Sequence, residues 1–332
     1  LDKNPAMPLP HLRLLLASAI ALTAAPARAA DTRAAFTEEA TCPALSAGTD
    51  ATLRLVSGAT DRRTCAVECS LWPACVVAYH SPAAATCQLG TLAAWLQFWQ
   101  AGSCRSLVRP PPIPDNVAPK LLAFYNFRFS LSNQLNASAF GLTANNAARN
   151  RLGVELLGSF DSNLEVDLMG GALGHYLPHN QLSFFIKVTA TYDFEGRCFH
   201  WVFNRSVGAP DGGTGRWCRG VGGRAVFLER DLTRREFTSG SEFLPQDFSN
   251  PATYSTAVAI DLAETNMATF FYNGTRDSSA ATYTTDPDTL FGDGGLKIGY
   301  SSFSPFKGTL HCYGIAAAAL NLTEVQQLET LC

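Results

Sequence analysis

Hydrophobic and polar positions alternate through most of the chain beyond residue 120, in runs too short for ordinary helices. In SNLEVDLMGG (162–171), Leu164, Val166 and Leu168 fall on one face and Glu165 and Asp167 on the other, the period-two mark of a half-buried strand. QLSFFIKVTATY (181–192) reads as a longer, more deeply buried strand. RCFHWVFN, GRAVFLER, YSTAVAIDL, MATFFYNGT, GLKIGYSS and KGTLHCYGIA follow as further strands between Gly-, Asn- and Pro-rich turns. Asn273-Gly274, directly after an aromatic-rich run, is the strongest short hairpin signal in the chain. One helical pattern, LTEVQQLETL, closes the sequence, with Thr323 and Gln326 at capping-box spacing. Many strands and a single terminal helix predict an antiparallel β-sandwich or jelly roll.

The N-terminus follows a different pattern. In MPLPHLRLLLASAIALTAAPARA (7–29) a basic Arg13 precedes an apolar run, and Ala27-Arg28-Ala29 supplies the small-x-small pattern of a signal-peptidase site. The run is short of the roughly 20 residues that a membrane span needs; an uncleaved anchor is the competing reading. Residues 1–6 are expected to be upstream sequence, Met7 the start and Ala30 the first mature residue. No later segment is long and apolar enough to predict a membrane span, and LTEVQQLETLC is not a lipid-anchor tail. A secreted, extracellular protein is the expectation.

That compartment gives the ten cysteines their meaning, since an even count in an oxidising environment reads as a disulfide framework. Cys42, Cys65, Cys69, Cys75, Cys87 and Cys104 lie in one group; Cys198, Cys218, Cys312 and Cys332 form another. Between the groups runs RSLVRPPPIPDNVAPK, whose five prolines predict a semi-rigid spacer without packed structure. The expected organisation is residues 1–29 as signal peptide with upstream residues, 30–105 as a small disulfide-rich α+β domain, 106–119 as a proline-rich linker, and 120–332 as the β domain.

In the small domain, DRRTCAVECSLWP (61–73) predicts a short helix with Asp61 as N-cap and Pro73 as terminator. Cys65 and Cys69, four apart, then share a face. Zinc would require two further ligands and a reducing compartment, and the C-x-x-C of a redox pair is absent. VVAYH and TCQLGTLAAW each supply a strand. The C-x3-C helix at Cys65 and Cys69, Cys75 with an aromatic strand ending at Tyr79, and the Cys87-Gln88-Leu89 strand resemble the PAN/apple family, with Cys42 and Cys104 as the outer pair of its six-cysteine form. The resemblance implies bridges Cys42–Cys104, Cys65–Cys87 and Cys69–Cys75; six cysteines alone permit fifteen pairings. It also implies a non-catalytic module that binds proteins or carbohydrates.

Beyond residue 120, LLAFYNFRFSLSNQLN (121–136), FDSNLEVDL, LSFFIKVTA, STAVAIDLAETNMATFFYNGT (255–275), LKIGY and FKGTLHCYGIAAAALNLTEVQQL (306–328) occur in the order of a laminin-G-like, concanavalin A-type jelly roll, which they resemble. Cys312–Cys332 would pin the last strand to the C-terminus, with Cys198–Cys218 as a local bridge. Residues 193–250 fit that family least well.

Composition narrows the function. Charged residues make up 16% of the chain and the net charge is −3, against about 25% charged in an ordinary domain. No basic patch with interleaved aromatics is present, which argues against nucleic acid as a partner. Four sequons stand at Asn136, Asn204, Asn273 and Asn321, candidate glycosylation sites. The jelly-roll resemblance includes glucanases, and Glu165-Val-Asp167 opens their acidic pattern, but Met169 and Gly170 stand where the third acid belongs. The pair reads as the solvated face of a strand. His175 and His179 sit in GGALGHYLPHN without the intervening Glu of a metalloprotease helix. No G-x-S-x-G elbow occurs, and DGGTGRWCRGVGG follows no βαβ unit.

Asp286, Asp288 and Asp293 share the loop TTDPDTLFGDGG and Asp161 lies in another. Such oxygen ligands suit calcium, although Asp beside Pro and Gly is also ordinary turn composition. No cofactor or metal is assigned. The resulting expectation is a secreted, non-enzymatic recognition protein that binds carbohydrate or an extracellular glycoprotein. A structural matrix or secretory-granule component and a divergent glycoside hydrolase are the alternatives.

Overall fold

The computed structural model describes residues 36–43, 53–168, 181–190, 198–203, 213–220, 223–230, 233–238, 252–261, 267–281, 296–300 and 305–332. The expected signal segment, residues 1–29, lies outside them. The first sheet is antiparallel, in the order β1-β5-β3-β4-β2: β1 (Thr37–Pro43), β2 (Leu53–Ser57), β3 (Val77–Ser81), β4 (Thr86–Gly90) and β5 (Trp99–Val108). Helix α1 (Arg62–Leu71) starts at Asp61, whose carboxylate accepts from the Thr64 backbone N–H at 2.7 Å and the Thr64 hydroxyl at 2.9 Å. Its one buried face carries Cys65 and Cys69, bonded to Cys87 on β4 and to Cys75. Cys104 on β5 is also disulfide-bonded; the side chain of Cys42, its expected partner, is outside the description. The short strand expected through Cys87 in TCQLGTLAAW is present, and the end of that stretch is helical. β4 (Thr86–Gly90) is followed by helix α2 (Leu92–Phe98), capped by Thr91 and burying Trp95 completely. Seven residues offer too few turns for a helical period to register in the sequence.

The proline-rich segment is packed, contrary to the expected free spacer. β5 runs on to Val108, and the buried Arg109 donates to the carbonyls of Cys69 and Cys75 at 2.9 Å and of Trp72 at 3.2 Å. It thus ties the end of β5 to the turn after α1, adding to the backbone N–H bonds that the Cys69 and Trp72 carbonyls already accept. Val117 is fully buried, Ile113 packs on the same cluster, and Asn116 donates to Gln327 at 2.9 Å. Proline fixes φ, but the residues between prolines remain free to dock.

The remaining strands form two antiparallel sheets. One, in the order β15-β14-β13-β12-β19-β10-β7, contains β7 (Leu142–Asn145), β10 (Asn163–Val166), β12 (Cys198–Phe203), β13 (Gly213–Gly220), β14 (Gly223–Arg230), β15 (Thr233–Thr238) and β19 (Leu296–Ile298). The other, β18-β17-β16-β11-β20-β9-β8 with β6 also on β20, contains β6 (Leu121–Asn126), β8 (Ala148–Asn150), β9 (Gly153–Leu157), β11 (Gln181–Ala190), β16 (Ala252–Asp261), β17 (Met267–Tyr272), β18 (Thr275–Ala281) and β20 (Lys307–Ala316). Leu182, Phe184, Ile186 and Val188 of β11 meet Leu164 and Val166 of β10 and Leu296 and Ile298 of β19 in one buried core. Register places Cys198 directly opposite Cys218, with their side chains outside the description. The architecture is the expected antiparallel jelly-roll sandwich, joined to a small disulfide-bonded sheet.

The outer face of the second sheet is covered by α3 (Leu322–Thr330), whose Val325 and Leu328 pack on Phe185, Ala257 and Phe271. The Cys312–Cys332 bridge holds the chain end to β20. Asn273 and Gly274, with φ of 45° and 65°, make the predicted hairpin turn between β17 and β18. Gln326 of α3 donates to the Gly274 carbonyl at 2.8 Å. The helix cap differs from the expected one. Asn321, not Thr323, is the N-cap and forms a reciprocal capping box with Glu324. Asn321 has the extended conformation that lets its side chain reach the N3 amide, whereas Thr323 already lies inside the helix.

Candidate functional site

At one rim of the sandwich the chain passes twice between the sheets, from β7 to β8 and from β9 to β10. Both crossings need unusual backbone: Asn146 has φ of 40° and Gly158 of 75°. Asparagine and glycine tolerate this left-handed region best. The crossings lie side by side and are tied together by polar contacts. The Leu157 N–H donates to Ser162 Oγ at 2.8 Å, and the Ser162 hydroxyl donates to the Asn146 carbonyl at 2.9 Å.

Between them lies an open depression of about 580 Å³ lined by Ala144, Asn145, Asn146, Phe160, Asp161, Asn163 and Lys297. A second, of about 370 Å³, shares Asn146 and Asp161 and extends past Glu155, Leu157 and Ser159. Asn146 Nδ2 donates to Asp161 Oδ2 at 2.6 Å, and Asn145 Nδ2 donates to Asn163 Oδ1 at 3.1 Å. Asn163 in turn donates to the Phe160 carbonyl at 3.2 Å. Hydrogen bonds from Ser159, from its own backbone and from Asn146 hold the Asp161 carboxyl below the usual carboxylate range. Phe160 is 58% exposed and Leu157 59%, so an aromatic ring and an aliphatic side chain stand in water beside fixed amides and a carboxylate. Lys297 on β19 lies 3.9 Å from Glu165 and 5.2 Å from the Tyr300 ring centroid.

Oriented amides, a charged acceptor and an exposed ring match a ligand with many hydroxyls and an apolar C–H face. Of the sequence candidates, Asp161 belongs to this site and Glu165 borders it through Lys297. Asp167 lies past the end of β10, its N–H on the Gly141 carbonyl at 2.8 Å. Asp286, Asp288, Asp293, His175 and His179 fall outside the described residues. Among the described residues, no three His, Cys, Asp or Glu side chains converge as a metal site would require. Sequence reasoning missed Asn145, Asn146, Phe160, Asn163 and Lys297. The available signals were the Asn-Asn pair and a lone Phe amid the turn formers of GSFDSN.

The glycosylation candidates differ in setting. Asn136 is exposed and its side chain accepts from the Ser138 N–H at 3.1 Å and hydroxyl at 2.7 Å. Asn273 accepts from the Ser255 N–H at 2.9 Å, and Asn321 is occupied as a helix cap. Asn204 lies outside the described residues.

The fold and rim define an antiparallel jelly-roll protein with a polar surface groove. No family model and no curated protein matches the chain. Solved structures do match. Domain 4 of an extracellular arabinanase from Geobacillus stearothermophilus, in complex with arabinotriose, is 17% identical with a TM-score of 0.43, over 63% of this chain and 98% of that domain. A botulinum neurotoxin type C structure, whose cell entry is described as dependent on two ganglioside molecules, is 8% identical with a TM-score of 0.48, over 65% and 52%. Trypanosoma rangeli sialidase with 2,3-difluorosialic acid is 13% identical with a TM-score of 0.45, over 69% and 34%. The chain thus spans about half of the toxin structure's length and a third of the sialidase's. Among the described residues, no helix is long and apolar enough to cross a membrane.

Proposed function

We propose that this protein is a secreted, non-enzymatic recognition protein whose rim groove binds carbohydrate, alone or on a glycoprotein. The exposed Phe160 ring beside the Asn146–Asp161 pair carries the reading. An exposed ring offers its face to the apolar C–H side of a sugar, and locking the amide to the carboxylate sets one acceptor geometry before binding. The Asp161 carboxyl is committed to accepting hydrogen bonds and kept ionised, which suits it to hold hydroxyls rather than to act as the raised-pKa acid that glycoside cleavage requires. The small sheet, with its helix and its disulfides, fits a PAN/apple module, and the paired cysteines fit an oxidising extracellular setting.

Glycan-array binding of the oxidised protein tests this, first with calcium and then with chelator, beside Phe160→Ala and Asn146→Ala. Selective binding that falls at least roughly tenfold in both variants, about 1.4 kcal/mol, is the expected result. Selective binding unchanged in both variants moves the site elsewhere, and the absence of glycan binding by the folded protein overturns the reading. Loss on chelation would implicate a cation, with Asp286, Asp288 and Asp293 the next residues to replace.

A further inference from the structure

On the outer face of the eight-stranded sheet, beyond the C-terminal end of α3, lies a basic cluster without a sufficient counter-charge among the described residues. Arg128 follows β6 and is only 7% exposed. Its Nε is sealed from solvent without a partner, and its guanidinium makes no hydrogen bond or ion pair among the described residues. Burial alone pushes it down to about 10.

Lys187 on β11 is half-buried, and among the described residues its ammonium donates to the Glu329 carbonyl alone, at 3.4 Å. Burial lowers it, the nearby Glu329 carboxylate raises it, and Arg128 lowers it further. His311 completes the group. It is the extra residue where Cys312 pairs with Lys187 and Leu310 with Val188, a bulge that redirects its ring. A carbonyl only accepts, so Nδ1–H donates to the Leu152 carbonyl at 2.5 Å; with the ring kept neutral by burial, Nε2 accepts from the Thr189 hydroxyl at 2.7 Å. Thr253 then donates to Thr189 at 2.6 Å. Burial keeps His311 neutral, the Glu329 carboxylate lies near Lys187, and among the described residues no carboxylate pairs with Arg128. Arg149, which donates to the Arg128 carbonyl, is already paired with Glu39 at 3.6 Å.

A nearly buried guanidinium without a counter-charge is costly, and among the described residues no neighbour offsets that cost. We propose that Arg128, with Lys187 at its rim, forms an oxyanion-binding site, separate from the groove, that takes a small oxyanion either free or carried on an acidic sugar. Guanidinium recognises such oxygens by paired hydrogen bonds. Approach is from the side where Lys187 is half-buried and Thr253 exposed.

Thermal unfolding of the oxidised protein in sulfate and in chloride, at matched ionic strength and pH 7, tests the proposal. Sulfate raises the wild-type Tm saturably. Arg128→Met weakens sulfate affinity at least roughly 30-fold, yet does not lower Tm in sulfate-free buffer, because an unpaired charge has been replaced by an apolar side chain of similar length. The gradual rise that sulfate gives any folded protein is common to both variants; the absence of a saturable increment in the wild type overturns the proposal, as does a saturable increment that survives the substitution. Should Arg128→Met fail to fold, Lys187→Met and the Nε–Hε NMR resonance of Arg128 under sulfate titration carry the same test; an unmoved resonance refutes it. Glucosamine 6-sulfate binding more tightly than inorganic sulfate assigns the anion to a glycan, and the reverse order to a free ion. Phe160→Ala leaves sulfate binding unchanged, so failure of the groove and failure of this site are distinguishable.

Discussion

Replacing Phe129 with Ala tests whether the small sheet and the sandwich behave as one body. Phe129 follows β6 in sequence, yet it is 5% exposed within a cluster made otherwise of Val76, Val77, Ala94, Trp95, Trp99 and Val108. Its ring stacks on Trp95 with centroids 4.9 Å apart and planes inclined by 21°. Removing it loses about 1.5–3 kcal/mol of transfer free energy; with the cavity left behind, the total reaches about 3–5 kcal/mol. The polar contacts across the same junction cannot replace this. Burial holds the Glu39 carboxyl above its ordinary range even though Arg149 lies beside it, so desolvation outweighs the ion pair. Partly exposed pairs of this kind contribute at most about 1 kcal/mol. Arg151 adds one hydrogen bond to the Trp99 carbonyl. Calorimetry of the wild type should therefore show one transition. Phe129→Ala should split it, with the small sheet melting at least roughly 12 °C earlier, at about 4 °C or more per kcal/mol for a domain of this size, and proteolysis entering between residues 110 and 119. A variant that keeps one transition at an unchanged Tm would refute the reasoning, since the junction would then not depend on this ring.

Two further outcomes follow from single residues. Asn321→Ala should cost about 1 kcal/mol through loss of the capping box, whereas Thr323→Ala should stay within about 0.5 kcal/mol; urea midpoints that rank the two in reverse would reassign the cap. His311 is pushed down to about 4, chiefly by burial and also by the Arg128 charge, so the unfolded chain binds its proton first as pH falls from about 6.5. Its contribution is present above that pH and is lost progressively towards pH 4, by about 3 kcal/mol in all. His311→Gln should flatten the urea-midpoint profile over this window, and a slope unchanged by the substitution would rule out the assignment.

Local pattern was enough to define much of this molecule. Leu164, Val166 and Leu168 are buried while Glu165 and Asp167 are not, because the side chains of a strand alternate by geometry. Asp61 caps α1 and Asn273-Gly274 turns a hairpin because those side chains and φ angles act within a few residues. Elements of three to five residues, such as β7, β8 and β9, are too short to show a period, and Leu92–Phe98 could not be told from a strand.

The groove escaped sequence reading for a different reason. Asn145, Asn146, Phe160, Asn163 and Lys297 meet only because two crossovers and the β10–β19 pairing bring them to one rim. The cluster of Arg128, Lys187 and His311 likewise depends on a bulge in β20 and on the β11–β20 register. What the sequence determined by itself was the local geometry of strands, turns and caps, which acts over a few residues. Which distant side chains share a site was decided by sheet order and register, and those are set by packing across the core.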